Sequence, residues 1–132
     1  MPEDIRQHLI YLVNKYRREH GLHDLHLDHG FAAHAKEHSE HRVERLDEIK
    51  RGRLDAHTEH HWQGNWHSEN VAYAESHGHE HPYQVAERLF EKWVSSEGHR
   101  KNILSAKSHA ALDIGHREAN GKKRIFMTGR FR

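Results

Sequence analysis

Apolar residues near the start of the chain recur at intervals of three and four positions, which is the spacing of one helix face. The positions of this stripe are Ile5, Leu9, Leu12, Val13 and Tyr16. Gly21 follows the stripe, at a place where glycine commonly ends a helix in the left-handed conformation. The pattern predicts a first amphipathic helix that ends before Gly21.

The period of the pattern then changes twice. Residues 22–28 alternate apolar and polar side chains, which favours a short extended connection or an edge strand. Residues 29–45 return to helical spacing and carry several small side chains, so they predict a second, closely packed helix. Residues 46–68 have no clear period and contain glycines and a cluster of histidines, which predicts a long loop around a functional site.

Two further helices are predicted in the second half of the chain. Pro82 suits the first position of a helix, because the N–H that proline lacks would have no helical partner there. An apolar stripe after it predicts a third helix that extends to about Trp93. Ser95 or Ser96 can cap a short fourth helix that runs to about Leu104.

The last part of the chain has the pattern of a hairpin. Strand-like runs occupy residues 110–115 and 124–131, and Asn120-Gly121 between them is a favoured pair for a tight turn. Because the helices precede the hairpin, the order of elements predicts an α+β fold.

The composition allows only a small core. Hydrophobic residues make up 34% of the chain and the mean hydropathy is -1.11, so the apolar share lies below the roughly 45–50% usual for globular domains. From a length of 132 residues we expect one domain that covers residues 1–132.

Charge and hydropathy weigh against two classes of partner. The 21 basic and 20 acidic residues nearly cancel, which gives no electrostatic case for binding nucleic acid. The chain has no apolar run long enough to span a bilayer, and its charged first residues lack the apolar core of a signal peptide.

Histidine is abundant and cysteine is absent. With 18 histidines and no cysteine, imidazole and carboxylate groups are the metal ligands that the sequence offers. Protonation near a pH of about 6.5 would add up to 18 positive charges. One hypothesis for the function is therefore pH-dependent association with lipid or another anionic surface.

Four residues stand out as candidate ligands of a divalent metal. His57 lies in the predicted long loop, Glu69 directly follows that loop, and Glu97 and His99 open the fourth helix. Imidazole nitrogen and carboxylate oxygen both suit zinc. The spacing alone does not bring these residues together, because His57 and His99 are distant in the chain.

Several motifs resemble those of the CAP superfamily, in the family's order. Asn14 and Arg17 match an Asn-x-x-Arg helix, which Gly21-Leu22 follows as in the family. The other similar segments are residues 32–39, the Glu-Asn-Val-Ala run at 69–72, the tryptophan helix with Gly-His-Arg-Lys-Asn-Ile-Leu at 93–104, and the final strands at 114–131. The chain is similar to this family, which includes cysteine-rich secretory, antigen 5 and pathogenesis-related 1 proteins, along nearly its whole length. Since the cysteines of the secreted eukaryotic members are missing, it resembles the prokaryotic branch most.

The resemblance implies a three-layer α-β-α sandwich with a small antiparallel sheet and a cavity lined by two histidines and two glutamates. In this sequence the metal ligands would be His57 and His99, and the metal would be zinc. Glu69 would orient a bound water or a ligand imidazole. Glu97 follows the position where many members have their second glutamate, which is a serine here.

His60 or His61 is an alternative to His57, because the resemblance is loose in the predicted loop. The resemblance also implies a secreted or cell-surface location if the chain is a mature fragment.

We predict a binding or interaction module with a metal-supported cavity that takes a ligand such as a lipid or a peptide. The competing hypothesis is a metal-dependent hydrolase of the peptidase or esterase kind. In that enzyme the metal would activate a water molecule, and Glu69 or Glu97 would act as the general base.

Overall fold

The computed structural model describes residues 2–28 and 67–132. Within these residues the helices and strands are, in chain order, α1 (Pro2–Glu19), β1 (His26–Leu27), β2 (Ser68–His77), α2 (Pro82–Val94), α3 (Glu97–Ile103), β3 (His109–Ala119) and β4 (Lys122–Phe131). The predicted helix over residues 29–45 lies outside the described residues, as does nearly all of the predicted long loop.

The four strands form one mixed sheet in the order β1-β3-β4-β2. β4 lies between β3 and β2 and is antiparallel to both, and the short edge strand β1 pairs in parallel with β3. Asn120 and Gly121 join β3 to β4 with φ angles of 54° and 75°, as a two-residue hairpin turn requires. The predicted hairpin, the edge strand and the α+β arrangement are therefore confirmed.

The main core lies between the sheet and the helices α1 and α2. It is built from buried aliphatic residues of both helices together with Trp93, Met127 and Phe131. We call the sheet surface that carries Met127 and Phe131 the helix face. Phe126 and Thr128 belong to the opposite surface of β4, because strand side chains alternate, and both are also buried. A strand buried on both surfaces fits a sheet in the middle of a three-layer sandwich.

The starts of the helices follow the sequence closely. α2 begins at Pro82, and His81 before it is the N-cap, whose ring nitrogen accepts a hydrogen bond from the backbone N–H of Tyr83. Ser96 is the N-cap residue of α3. No helix within the described ranges is long and apolar enough to cross a bilayer.

Asn14 and Arg17, the Asn-x-x-Arg pair of α1, form hydrogen bonds to later segments of the chain. Asn14 exchanges two hydrogen bonds with the backbone of Leu25, at 2.8 and 3.2 Å. Arg17 is 1% exposed and donates to four backbone carbonyls, which belong to His23, Ile103, Ser105 and Lys107. Burial lowers the pKa of the Arg17 guanidinium. These bonds connect α1 to the end of α3 and to the residues before β3.

A close approach of the tryptophan helix to the sheet depends on a glycine. Trp93 is fully buried, and its indole N–H donates to the carbonyl of Val71 at 3.1 Å. A Cβ atom on Gly129 would lie 2.8 Å from the Trp93 ring and 3.0 Å from a methyl of Leu112. Neither neighbour has room to move easily, because both side chains are fully buried.

We expect Gly129→Ala to lower the free energy of unfolding by about 1–3 kcal/mol, since it inserts a methyl group into a filled part of the core. Urea unfolding followed by tryptophan fluorescence measures the change. Gly98→Ala is the matched control, because a Cβ on Gly98 meets no atom within 4 Å. Equal stability of the two variants would contradict the tight contact at Gly129.

Candidate functional site

The candidate site contains a buried ion pair between neighbouring strands. Glu69 on β2 and Arg130 on β4 are register partners, on the sheet surface opposite the helix face. Nε of Arg130 donates to Oε2 of Glu69 at 3.0 Å, and the two side chains are 4% and 0% exposed. A charged carboxylate at this depth requires an opposite charge beside it. Arg130 is therefore a member of the site.

The residue after Glu69 holds helix α3 in place. The side-chain amide of Asn70 donates to the backbone carbonyl of His99 at 3.0 Å, and Asn102 donates to the side-chain oxygen of Asn70 at 2.7 Å. Asn70 is completely buried. The start of β2 and the predicted ligand helix are thus joined by two side-chain bonds, which brings the backbones of Glu69 and His99 close together.

The side chains of Glu97 and His99 have different surroundings, although both belong to α3. His99 is half-buried, and its Nδ1 atom is shielded from solvent. Glu97 has a side chain that is 72% exposed and forms an ion pair with Lys101 at 3.1 Å, one helical turn further on. Of the predicted residues in the described ranges, Glu69 and His99 therefore lie beside the network of Asn70, and Glu97 lies on the surface.

The other predicted ligand lies outside the described residues, together with the alternatives to it. These positions are His57, His60 and His61. Residues 2–28 and 67–132 by themselves contain no group of three or more histidine or carboxylate side chains that could hold a metal ion. The predicted zinc site includes His57, or His60 or His61 in its place, so it stays a prediction.

A comparison of the sequence with known protein families identifies the region that contains these motifs. The sequence matches the model of the CAP, or cysteine-rich secretory protein, family over residues 10–111, which is most of the chain. The chain belongs to the CAP family. The match includes β2, α2 and α3, so Glu69 and His99 both lie within the CAP region.

The fold is shared with a solved structure. An outer surface protein from Borrelia burgdorferi superposes with a TM-score of 0.55 over 98% of this chain and 92% of its own, at 14% sequence identity. An identity this low is evidence for the fold alone. No curated protein matches the sequence.

Arg130 is a residue of the candidate site that the sequence motifs of this CAP domain do not reveal. The residue lies in a run that was predicted correctly as a strand, between Gly129 and Phe131, and its charge was given no role. An arginine flanked by core positions in a strand is itself a signal, because long charged side chains are seldom buried without a partner. Asn70 and Asn102 belonged to the recognised motifs, but the hydrogen bonds that explain them became visible only in the structure.

We expect Glu69→Gln to lower the free energy of unfolding by about 3–5 kcal/mol, since it leaves the Arg130 guanidinium buried beside a neutral group. Thermal and urea unfolding followed by circular dichroism measure the loss. Glu97→Gln removes a carboxylate from an exposed pair and serves as the control, with an expected change below about 1 kcal/mol. Similar stabilities of the two variants would show that the buried ion pair contributes no more to the free energy of unfolding than the exposed pair does.

Proposed function

We propose that this CAP domain is a binding module whose pocket is organised by the ion pair of Glu69 and Arg130 and by His99. In the proposed site a divalent metal, zinc, is held by His99 together with His57, or with His60 or His61 in its place. The observation that carries the proposal is the start of β2, where the carboxylate of Glu69 is paired with a buried guanidinium and the next residue, Asn70, bonds to the backbone of His99 in α3.

The placement of both glutamates supports binding rather than hydrolysis. A general base has to accept a proton from a water molecule within hydrogen-bond reach. The carboxylate of Glu69 is already bonded to Arg130 through Oε2, so this oxygen is not available to a water molecule. Glu97 is far more exposed and is paired with Lys101. Among residues 2–28 and 67–132, the contacts of the two carboxylates favour a structural role over that of a general base.

His99 has the surroundings that suit a metal ligand. Its ring nitrogen Nδ1 is shielded from solvent, and its backbone is fixed by Asn70, so little ordering is needed when an ion binds. Glu69 would act as a carboxylate that orients a ligand imidazole or a bound water, which is a common arrangement around zinc. A zinc ion there would supply an open position for an oxygen or nitrogen atom of the ligand.

The ligand class in this proposal is a lipid or a peptide, and the location is secreted or at the cell surface. The location is supported by the name of the similar Borrelia structure, an outer surface protein. The pH-dependent association with anionic surfaces stays a prediction, since no contact in the described residues bears on it.

Zinc affinity tests the proposal directly. We expect His99→Ala and His57→Ala to weaken the tightest zinc site by more than the roughly 10- to 100-fold that loss of an outer-shell partner costs, because each variant removes a ligand. Competition against a chromophoric chelator separates this site from weak binding by the many other histidines. His116→Ala is the control, because His116 is exposed on β3 and belongs to no proposed site.

Unchanged zinc affinity in both ligand variants would remove the proposed site. Turnover assays on peptide and ester substrates decide the competing function. Zinc-dependent turnover that disappears in Glu69→Gln, at a temperature where this variant is still folded, would replace the binding module with a hydrolase.

A further inference from the structure

Two imidazoles from neighbouring strands meet at the β1 edge of the sheet. His26 on β1 and His109 on β3 are register partners in the parallel pair. Their ring centres are 5.8 Å apart and the ring planes are inclined by 41°. His26 is exposed and His109 is half-buried, so the pair is open to solvent. Neither histidine belongs to the candidate site around Glu69.

We propose that His26 and His109 form an exchangeable site for a divalent transition metal, with Cu(II) bound most tightly. Two imidazoles that share one ion at metal–nitrogen distances of about 2.0–2.1 Å have ring centres roughly 5–6 Å apart, and the observed separation lies in that range. Imidazole is a good ligand for copper, nickel and zinc, and Cu(II) is the strongest binder among the divalent ions of the first transition row.

The hydroxyl of Ser108 orients one ring of the pair. Its Oγ atom lies 2.7 Å from Nδ1 of His109. When Nδ1–H donates to this oxygen, the lone pair of the ring is on Nε2, which is then the ligand atom. Metal-binding histidines usually have such a partner on their second nitrogen, because it fixes both the tautomer and the ring orientation. Ser108 therefore acts as a positioning residue.

Two ion pairs lie on either side of His26 in the sequence. Asp24 accepts two hydrogen bonds from Arg18, and this interaction lowers the pKa of Asp24. Asp28, two residues after His26, is bonded to Arg132 at 2.8 Å. The carboxylates of these two pairs offset the nearby guanidinium charges of Arg18 and Arg132. The remaining coordination positions of the ion would be taken by water or by donor atoms of a ligand or partner.

The site is tested by Cu(II) titration of the full chain in a His57→Ala/His99→Ala background. This background removes the zinc site of the proposed function, so the result for the copper site does not depend on whether the zinc site exists. We expect His26→Ala and His109→Ala each to weaken the tightest Cu(II) site by on the order of tenfold or more, and the double variant to lose little beyond either single one. Such non-additive losses identify two ligands of one ion. The control is His116→Ala, which keeps the affinity of the background.

Nuclear magnetic resonance locates the ion independently. With substoichiometric Cu(II), we expect the first amide signals to broaden to be those of residues 26–27 and 109–110, and Ser108→Ala to weaken the effect. Additive losses in the titration, or first broadening elsewhere in the chain, would overturn the proposed pair. Circular dichroism of each variant confirms that it is folded, which is expected because His26 is exposed and His109 is only half-buried.

Discussion

The buried pair of Glu69 and Arg130 constrains the register of β2 on β4, and the rest of the site depends on that register. Successive residues of a strand point to opposite surfaces. Glu69 therefore meets Arg130 on one surface of the sheet, and Asn70 projects from the other surface to hold His99 and Asn102. A slip by one residue would exchange the two side chains, so that a carboxylate faced α3 and an amide faced the guanidinium. One electrostatic requirement thus fixes both the sheet pairing and the position of the ligand helix.

Patterns of a few neighbouring residues correctly predicted the helices and the turn whose signals are local. The apolar stripe of α1, Pro82 at the start of α2 and the Asn120-Gly121 turn each carry their signal within a few residues, and all three are where the sequence places them. β2 was missed because its inward positions hold small or polar residues, among them Ala72 and Ala74, so that it lacks the alternation of large apolar side chains that marks a strand. The parallel pairing of β1 with β3 joins segments more than 80 residues apart, which no short pattern encodes.

The residues of the candidate site were predicted only in part, because short motifs identify single residues and not their contacts with distant segments. Motifs located Glu69 and His99, and the structure brings their backbones together through Asn70. The motifs also suggested Glu97 as a second carboxylate, one position after the family's second glutamate. Sequence does not show on which side of a short helix a residue points, and the structure places Glu97 on the surface with Lys101. Arg130 was overlooked because the charge that completes a buried pair comes from a distant strand, 61 positions along the chain.

The hydrogen bonds of Arg17 make the ligand helix dependent on the first helix of the protein. α3 has only seven residues, too few to be stable in isolation. Its last turn and the residues after it place carbonyls around a guanidinium from α1, and the bond to Ile103 spans 86 positions of sequence. Removing α1 would therefore also free the carbonyls of Ile103, Ser105 and Lys107 at and after the end of α3. α1 and the end of α3 therefore become ordered together, and a binding surface on α3 requires both helices to be in place.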